Sequence, residues 1–264
     1  MKLLLTTTAL TAAATFAAPA SAQMMYDFDQ YVSGSLGYAM QHDSDNAGAF
    51  TRDFTTGNIG GALGGATLPA GTDVGWTTEF EGGLFAAAAY GWRFDNGFRV
   101  EAEVSYDQND VDTHDGVTAG GIALDDVDAA VLITGADPLG VTVGDLVADG
   151  QGDISNFAVA VNAYYDFRMP DSPFSIYGGA GVGVMESDIE FAPSSTGIVE
   201  DTETGGFFQL MVGGAYAVSE TTEFYAGYRY RQSEDLEVDS SLIPATLEIE
   251  NKDSIIEAGV RFTF

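Results

Sequence analysis

The chain has 264 residues, no cysteine and a formal net charge of -31 at pH 7. Disulfide frameworks and thiolate chemistry are thereby excluded, and so much negative charge repels the phosphates of nucleic acid. The length suits one all-β domain of barrel or sandwich size.

In chain order, Met1-Lys2 is a short basic start, Leu3 to Ala14 is an apolar stretch interrupted by Thr, and Ala20-Ser21-Ala22 is a small-residue cleavage site. These features predict a signal peptide over 1–22, cut between Ala22 and Gln23, and a domain over 23–264. The apolar part is too short to span a membrane as a helix and ends at Pro19. No later segment approaches the roughly eighteen apolar residues that a spanning helix needs.

Strand patterns follow. Tyr31 to His42 puts Val32, Gly34, Leu36, Tyr38 and Met40 on one face and Ser33, Ser35 and Gly37 on the other, because side chains alternate across a strand. From Phe80 to Phe94, Phe80, Leu84, Ala86, Ala88, Tyr90, Trp92 and Phe94 share one parity, and Glu79, Glu81 and Arg93 oppose them. Asp95-Asn96-Gly97 is a hairpin turn. Its second arm sets Phe98, Val100, Ala102, Val104 and Tyr106 against Arg99, Glu101, Glu103, Ser105 and Asp107.

The second half continues the pattern. Phe157 to Phe167 alternates up to the turn at Pro170 to Pro173, and a Gly-rich strand follows with Phe174, Ile176, Ala180, Val182 and Val184 on one face. Phe208 to Val218 and Phe224 to Tyr230 are joined by the short turn Ser219 to Thr222. The last strand, Ser254 to Phe264, points Ile256, Ala258, Val260, Phe262 and Phe264 one way and Ile255, Glu257, Gly259 and Arg261 the other. Eight strands result, each near the ten or so residues that a tilted strand needs to cross the hydrocarbon.

The connections alternate in length. Long polar gaps at about 43–75, 108–153, 186–205 and 232–252 follow the odd-numbered strands, and tight turns follow the even ones. Short turns on one side and long loops on the other are the asymmetry of a membrane barrel, with the long loops outside the cell. Those gaps hold Asp110, Asp112, Asp115, Asp125, Asp126, Asp128, Glu186, Asp188, Glu190, Glu200, Asp201, Glu203, Glu234, Asp235, Glu237 and Asp239, so the outer rim is expected to be negative. Aromatics at the short-turn ends, such as Trp92, Phe98, Phe167 and Phe262, form one belt. Trp76, Tyr106, Phe157, Tyr228 and Tyr230 form the second.

A soluble β-sandwich would share the alternation but gives no reason for charges to line the opposite face. Parity sends Arg93, Arg99, Glu101, Glu103, Glu223, Arg229, Arg231, Glu257 and Arg261 into one lumen. Eight strands leave an interior that side chains fill. The charges are therefore expected to pair into a plug, because an unpaired buried charge is costly; the alternative is a charged narrow conduit for small ions.

The stretch Glu257-Ala258-Gly259-Val260-Arg261-Phe262-Thr263-Phe264 resembles the C-terminal assembly signal of bacterial outer-membrane barrels, through Gly259, Phe262 and Phe264. With the Phe-Asp-Asn-Gly-Phe hairpin, Asn162-Ala163-Tyr164-Tyr165-Asp166-Phe167 and Tyr228-Arg229-Tyr230, the whole mature chain resembles the OmpA/OmpX/Opa-like superfamily. The resemblance implies an eight-stranded antiparallel transmembrane β-barrel with short periplasmic turns and long acidic extracellular loops. It also implies residence in the outer membrane, insertion by the outer-membrane assembly machinery, and contact with lipid and lipopolysaccharide. It does not imply one activity, since members serve as structural proteins, adhesins, antigens or narrow pores. The OmpA pattern continues into a peptidoglycan-binding domain, and this sequence stops at the barrel strand.

Chemical motifs are sparse. His42, with Ser44 nearby, is the one pair that could serve an outer-leaflet lipid hydrolase, against the plainer expectation of an interfacial polar residue. Asp110-x-Asp112-x-His114 is a faint calcium-loop pattern, but Asp115 stands where that loop needs Gly and no Glu closes it. The Gly-rich segment Thr56 to Gly75 lacks the Lys of a phosphate loop and is expected to be a flexible surface loop. Ile122 to Leu124, Val127 to Ile133 and Val141 to Val147 are apolar enough for a hairpin or helix over the barrel mouth. The expected function is structural or surface-interacting, non-enzymatic and without cofactor, with divalent cations bridging acidic loops to lipopolysaccharide. The alternatives are a narrow cation-preferring porin, an adhesin and, more distantly, the lipid hydrolase.

Overall fold

A computed structural model describes residues 28–264 apart from Asp149 and Thr196, so the cleavage site at Ala22 and Gln23 lies outside the described residues. The chain runs through β1 (Phe28–Gln41), β2 (Ser44–Phe50), the short pair β3 (Phe54–Thr55) and β4 (Thr67–Leu68), β5 (Asp73–Phe80), β6 (Gly83–Phe94) and β7 (Phe98–Ala119). After β8 (Ile122–Ala123) come a 3-10 turn (Ala129–Leu132) and the single helix turn α1 (Val143–Val147). The remaining strands are β9 (Gly152–Arg168), β10 (Phe174–Phe191), β11 (Val199–Ala217), β12 (Thr222–Ser233), β13 (Leu236–Asp239), β14 (Ala245–Ile249) and β15 (Lys252–Thr263).

Eight of these close a ring. β1, β6, β7, β9, β10, β11, β12 and β15 pair antiparallel in that order, and β15 returns to β1 from Tyr31↔Thr263 to Gln41↔Asp253. Closure satisfies every edge, which a wall in hydrocarbon requires. At the Asp95-Asn96-Gly97 turn, Gly97 takes φ 87, a left-handed conformation that glycine adopts without penalty. Around the lower ring the outward residues are apolar and exposed, among them Leu36, Leu84, Val161, Val182, Leu210, Val212 and Ile256.

The long gaps are a correction to the sequence expectation. They are only partly loop: β2, β5, β13, β14 and the upper parts of β7, β9, β10 and β11 extend the wall, while most of 51–72 and 120–148 lies outside strands. The ladder runs β7 to β5, β2, β14 and β13, and β13 rejoins β11 through the Val199↔Ser240 bridge and Glu234 N–H donating to Gly206 O at 2.9 Å. The physical reason is an inversion of polarity on unbroken strands. On β10, Ile176, Val182 and Val184 face out in the lower part, while above them Glu186, Asp188 and Glu190 face out and Met185, Ile189 and Phe191 face in.

The upper storey thus encloses an apolar core. Phe50, Val74, Val111, Val117, Ile154, Ile189, Phe191, Leu236, Leu247 and Ile249 are buried in it, and the 3-10 turn and α1 seal it through Ala129, Val131, Val143 and Val147. Trp76, expected in an outer aromatic belt, instead packs against this core, with its Nε1–H donating to Thr78 Oγ1 at 3.2 Å. Phe80 likewise belongs to β5 and turns in toward Phe191, rather than continuing the outward face of β6. Both misplacements arise where the wall breaks at Glu81-Gly82 between β5 and β6, which resets the parity. An apolar-lined cavity of about 50 Å³ remains inside the core.

Candidate functional site

Below the apolar storey, the structure brings all nine of the charges that parity sent inward to the interior side of the ring. They form tiers. At the bottom, Glu223 lies between Arg93 at 2.6 Å and Arg261 at 3.2 Å, while Arg99 holds both oxygens of Asp166 at 3.0 Å. Arg99 also donates to the Tyr31 hydroxyl at 3.0 Å, and that hydroxyl donates to Glu101 Oε2 at 2.7 Å. Two similar triads stand above, each with an acid from β7, an arginine from β12 and an acid from β15. Arg229 bridges Glu103 and Glu257, and Arg231 bridges Asp107 at 2.5 Å and Asp253 at 2.6 Å.

Three acids of this network, Asp107, Asp166 and Asp253, were missed as site residues. Their signal was parity: Asp107 and Asp166 alternate with the outward residues of their strands, and Asp253 continues the inward face of β15 one position before the expected strand start. An amide layer tops the charges. Asn156 donates to Asp107 at 2.8 Å, Asn251 donates to Asn156 at 2.9 Å, and Gln41 donates to Asn251 at 3.2 Å.

Tyrosines fill what the charges leave. Tyr31, Tyr164, Tyr177 and Tyr225 each lay a ring over the glycine directly opposite on the next strand, Gly91, Gly179, Gly213 and Gly259 respectively. The Arg99 guanidinium stacks on Tyr164 at 4.3 Å, and that of Arg261 on Tyr225 at 4.9 Å. The void beside Arg229 is only about 10 Å³, at the limit for a single water. Of the assembly-signal residues, Gly259 takes the Tyr225 ring, and Phe262 and Phe264 are exposed on the lipid side.

The histidines are placed apart from one another. His42 is exposed and its Nε2 meets Ser254 Oγ at 2.9 Å. Ser44 is buried and bonded instead to Asn46 at 2.9 Å and to the Glu250 N–H at 3.0 Å, so it does not pair with His42. His114, from the faint calcium-loop pattern, is buried on β7, its Nδ1 at 2.8 Å from Thr78 Oγ1 and its ring against Phe191. The outward acids form a row: Asp110 faces Asp153, Asp153 faces Glu190, and Glu190 faces Glu200 across four adjacent strands. Partial burial, and then Glu190 and Asp110, push the Asp153 carboxyl above its ordinary range. Farther up, Asp128 accepts from the N–H groups of Leu139, Ala130 and Gly140, which together hold its carboxyl below that range.

A closed ring with an apolar outer band, a filled charged interior and an acidic rim defines a transmembrane β-barrel of the small outer-membrane class. The chain belongs to the outer membrane protein beta-barrel domain family, whose model matches residues 8–262. Its location is the cell outer membrane. No curated protein shows significant sequence similarity to it. The fold is similar to that of the outer membrane protein OprG from Pseudomonas aeruginosa, at 13% identity and a TM-score of 0.53, with 90% of this chain and 97% of that one covered. Neisserial surface protein A is similar at 16% identity, a TM-score of 0.44 and coverages of 89% and 97%. The Escherichia coli outer membrane protease OmpT aligns at 12% identity, a TM-score of 0.40 and coverages of 90% and 98%.

Proposed function

We propose that this protein is a structural, surface-interacting component of the outer membrane that neither conducts nor catalyses. Its acidic outer wall is read as joining lipopolysaccharide through divalent cations. The observation that carries this is the row Asp110, Asp153, Glu190 and Glu200, four carboxylates directly opposite one another on adjacent strands. Like charges in that position destabilise a sheet, so a counter-ion at the surface relieves the repulsion. Among the described residues no three acids or histidines converge to hold a metal alone. A shared ion, completed by the phosphates of a neighbouring lipopolysaccharide, suits that geometry because magnesium and calcium take several oxygen ligands.

The test is protease resistance of the outer wall in native outer membrane, with and without magnesium or calcium. Protection by the ions is expected in the wild type and not in a variant carrying Asp110→Asn, Asp153→Asn, Glu190→Gln and Glu200→Gln. Equal cleavage under all conditions would count against the bridge. The non-enzymatic part is supported by the His42–Ser254 contact, which the Tyr228 hydroxyl shares and to which no carboxylate is bonded among the described residues.

A further inference from the structure

In the segments that build the outer storey, the only lysine or arginine residues are Arg52 and Lys252. Lys252 is paired with Glu250, whereas Arg52 is exposed and makes no ion pair among the described residues. Arg52 lines a cleft of about 440 Å³, with Leu132, Ile133, Leu242 and Pro244 among its walls. Asp53 is the one acid among the described lining residues, and its Oδ1 accepts from the Ala70 N–H at 3.0 Å. Mostly apolar walls around one charged side chain are the usual make-up of a small-molecule site.

Phe54, Leu132 and Leu242 line this cleft and also the cavity of about 50 Å³ inside the core. They form a shared wall, with the guanidinium on one side and the cavity on the other. The cavity exceeds the roughly 10–15 Å³ that a water requires, but a buried water also needs two or more polar partners. The polar groups in its lining are already engaged. Thr56 Oγ1 donates to carbonyl oxygens of its own loop, the Trp76 N–H donates to Thr78, and His114 Nδ1 is bonded to Thr78. The other lining residues are apolar, so a hydrocarbon group suits this space better than water does.

We propose that the outer storey binds a small carboxylate with a short apolar tail, its head on Arg52 and its tail in the core cavity. One guanidinium matches one carboxylate, which it can hold through two parallel hydrogen bonds. A doubly charged phosphate would suit this acidic surface less well, since a single cation faces it. Leu132 and Leu242 are only partly buried, and rotation of either side chain lets the tail pass from cleft to cavity. Binding a small amphiphile from outside goes beyond the lipopolysaccharide contact proposed above and uses none of its acids.

Trp76 lines the cavity and offers the readout. The only other tryptophan, Trp92, lies on the outward face of β6, so a Trp92→Phe background leaves Trp76 as the sole emitter. Titration of the folded protein with 6-bromohexanoate, whose bromine is a contact quencher, should quench Trp76 saturably. Arg52→Gln should weaken that binding about fivefold, the scale of an exposed charge pair. The uncharged 6-bromohexanol should bind more weakly than the carboxylate, and equally in both proteins. Shortening the probe to 4-bromobutyrate should cost about fourfold for each methylene removed. Quenching that never saturates, or that is the same in wild type and Arg52→Gln, overturns the proposal. So does a crystal soaked in 6-bromohexanoate that shows no bromine peak between Phe54, Leu132 and Trp76.

Discussion

Gly259 lies under the Tyr225 ring and against the backbone of Gly34, so a methyl group there meets Tyr225 Cζ at 2.5 Å with no room to retreat. Gly259→Ala should cost about 1–3 kcal/mol, as overpacking does. Gly178→Ala, whose added carbon would come no nearer than 4.0 Å to Met211 O, should be tolerated. Heat-modifiable gel mobility of the two variants measures the contrast, and equal behaviour would remove the tyrosine-on-glycine packing from the account. The charges offer a second test at the same scale. Arg231→Met strands Asp107 and Asp253 and should cost about 3–5 kcal/mol, the usual penalty for breaking a buried pair from one side. Lys252, whose ion pair with Glu250 is partly exposed, should lose no more than about 1 kcal/mol when changed to Met. Urea unfolding in lipid separates them.

At the scale of elements, the outward carboxylate row sets a pH dependence. The folded pKa of Asp153 is raised by burial and by Glu190 and Asp110, so the folded wall holds that proton more tightly than the unfolded chain does. Its contribution favours the fold fully below the unfolded carboxylate range and is lost as pH rises through the raised value. Resistance of the outer wall to protease should therefore increase on mild acidification from neutrality, and Asp153→Asn should flatten that response; an unchanged response in the variant would place its origin elsewhere. Asp128 works in the opposite sense, since its lowered value means that its cap on the 3-10 turn is lost as pH falls through it.

The same strands show what could be read from residues alone. The eight strands that close the ring were legible because apolar outward residues mark where lipid lies, and Arg99, Glu101 and Glu103 followed from their parity. The upper wall was not legible by that rule, because above the bilayer the outward residues turn acidic. Asp110, Glu186 and Glu200 then look like loop, although Val111, Ile189 and Val199 continue the inward face without a break. Following inward rather than outward parity extends β7, β10 and β11 upward and adds Asp253 to β15.

For the whole molecule, the two storeys make one statement. In the membrane the wall is greasy outside and charged within, and above it the arrangement reverses. The lower half holds arginine, carboxylate and tyrosine, with a void of about 10 Å³ beside Arg229, and the upper half an apolar core under the 3-10 turn and α1. The proposed role requires this cylinder to be sealed. Planar-bilayer recording of the purified, folded protein tests this most directly: the account predicts insertion without stable unitary conductance in either alkali chloride, and a reproducible, saturable conductance would contradict it.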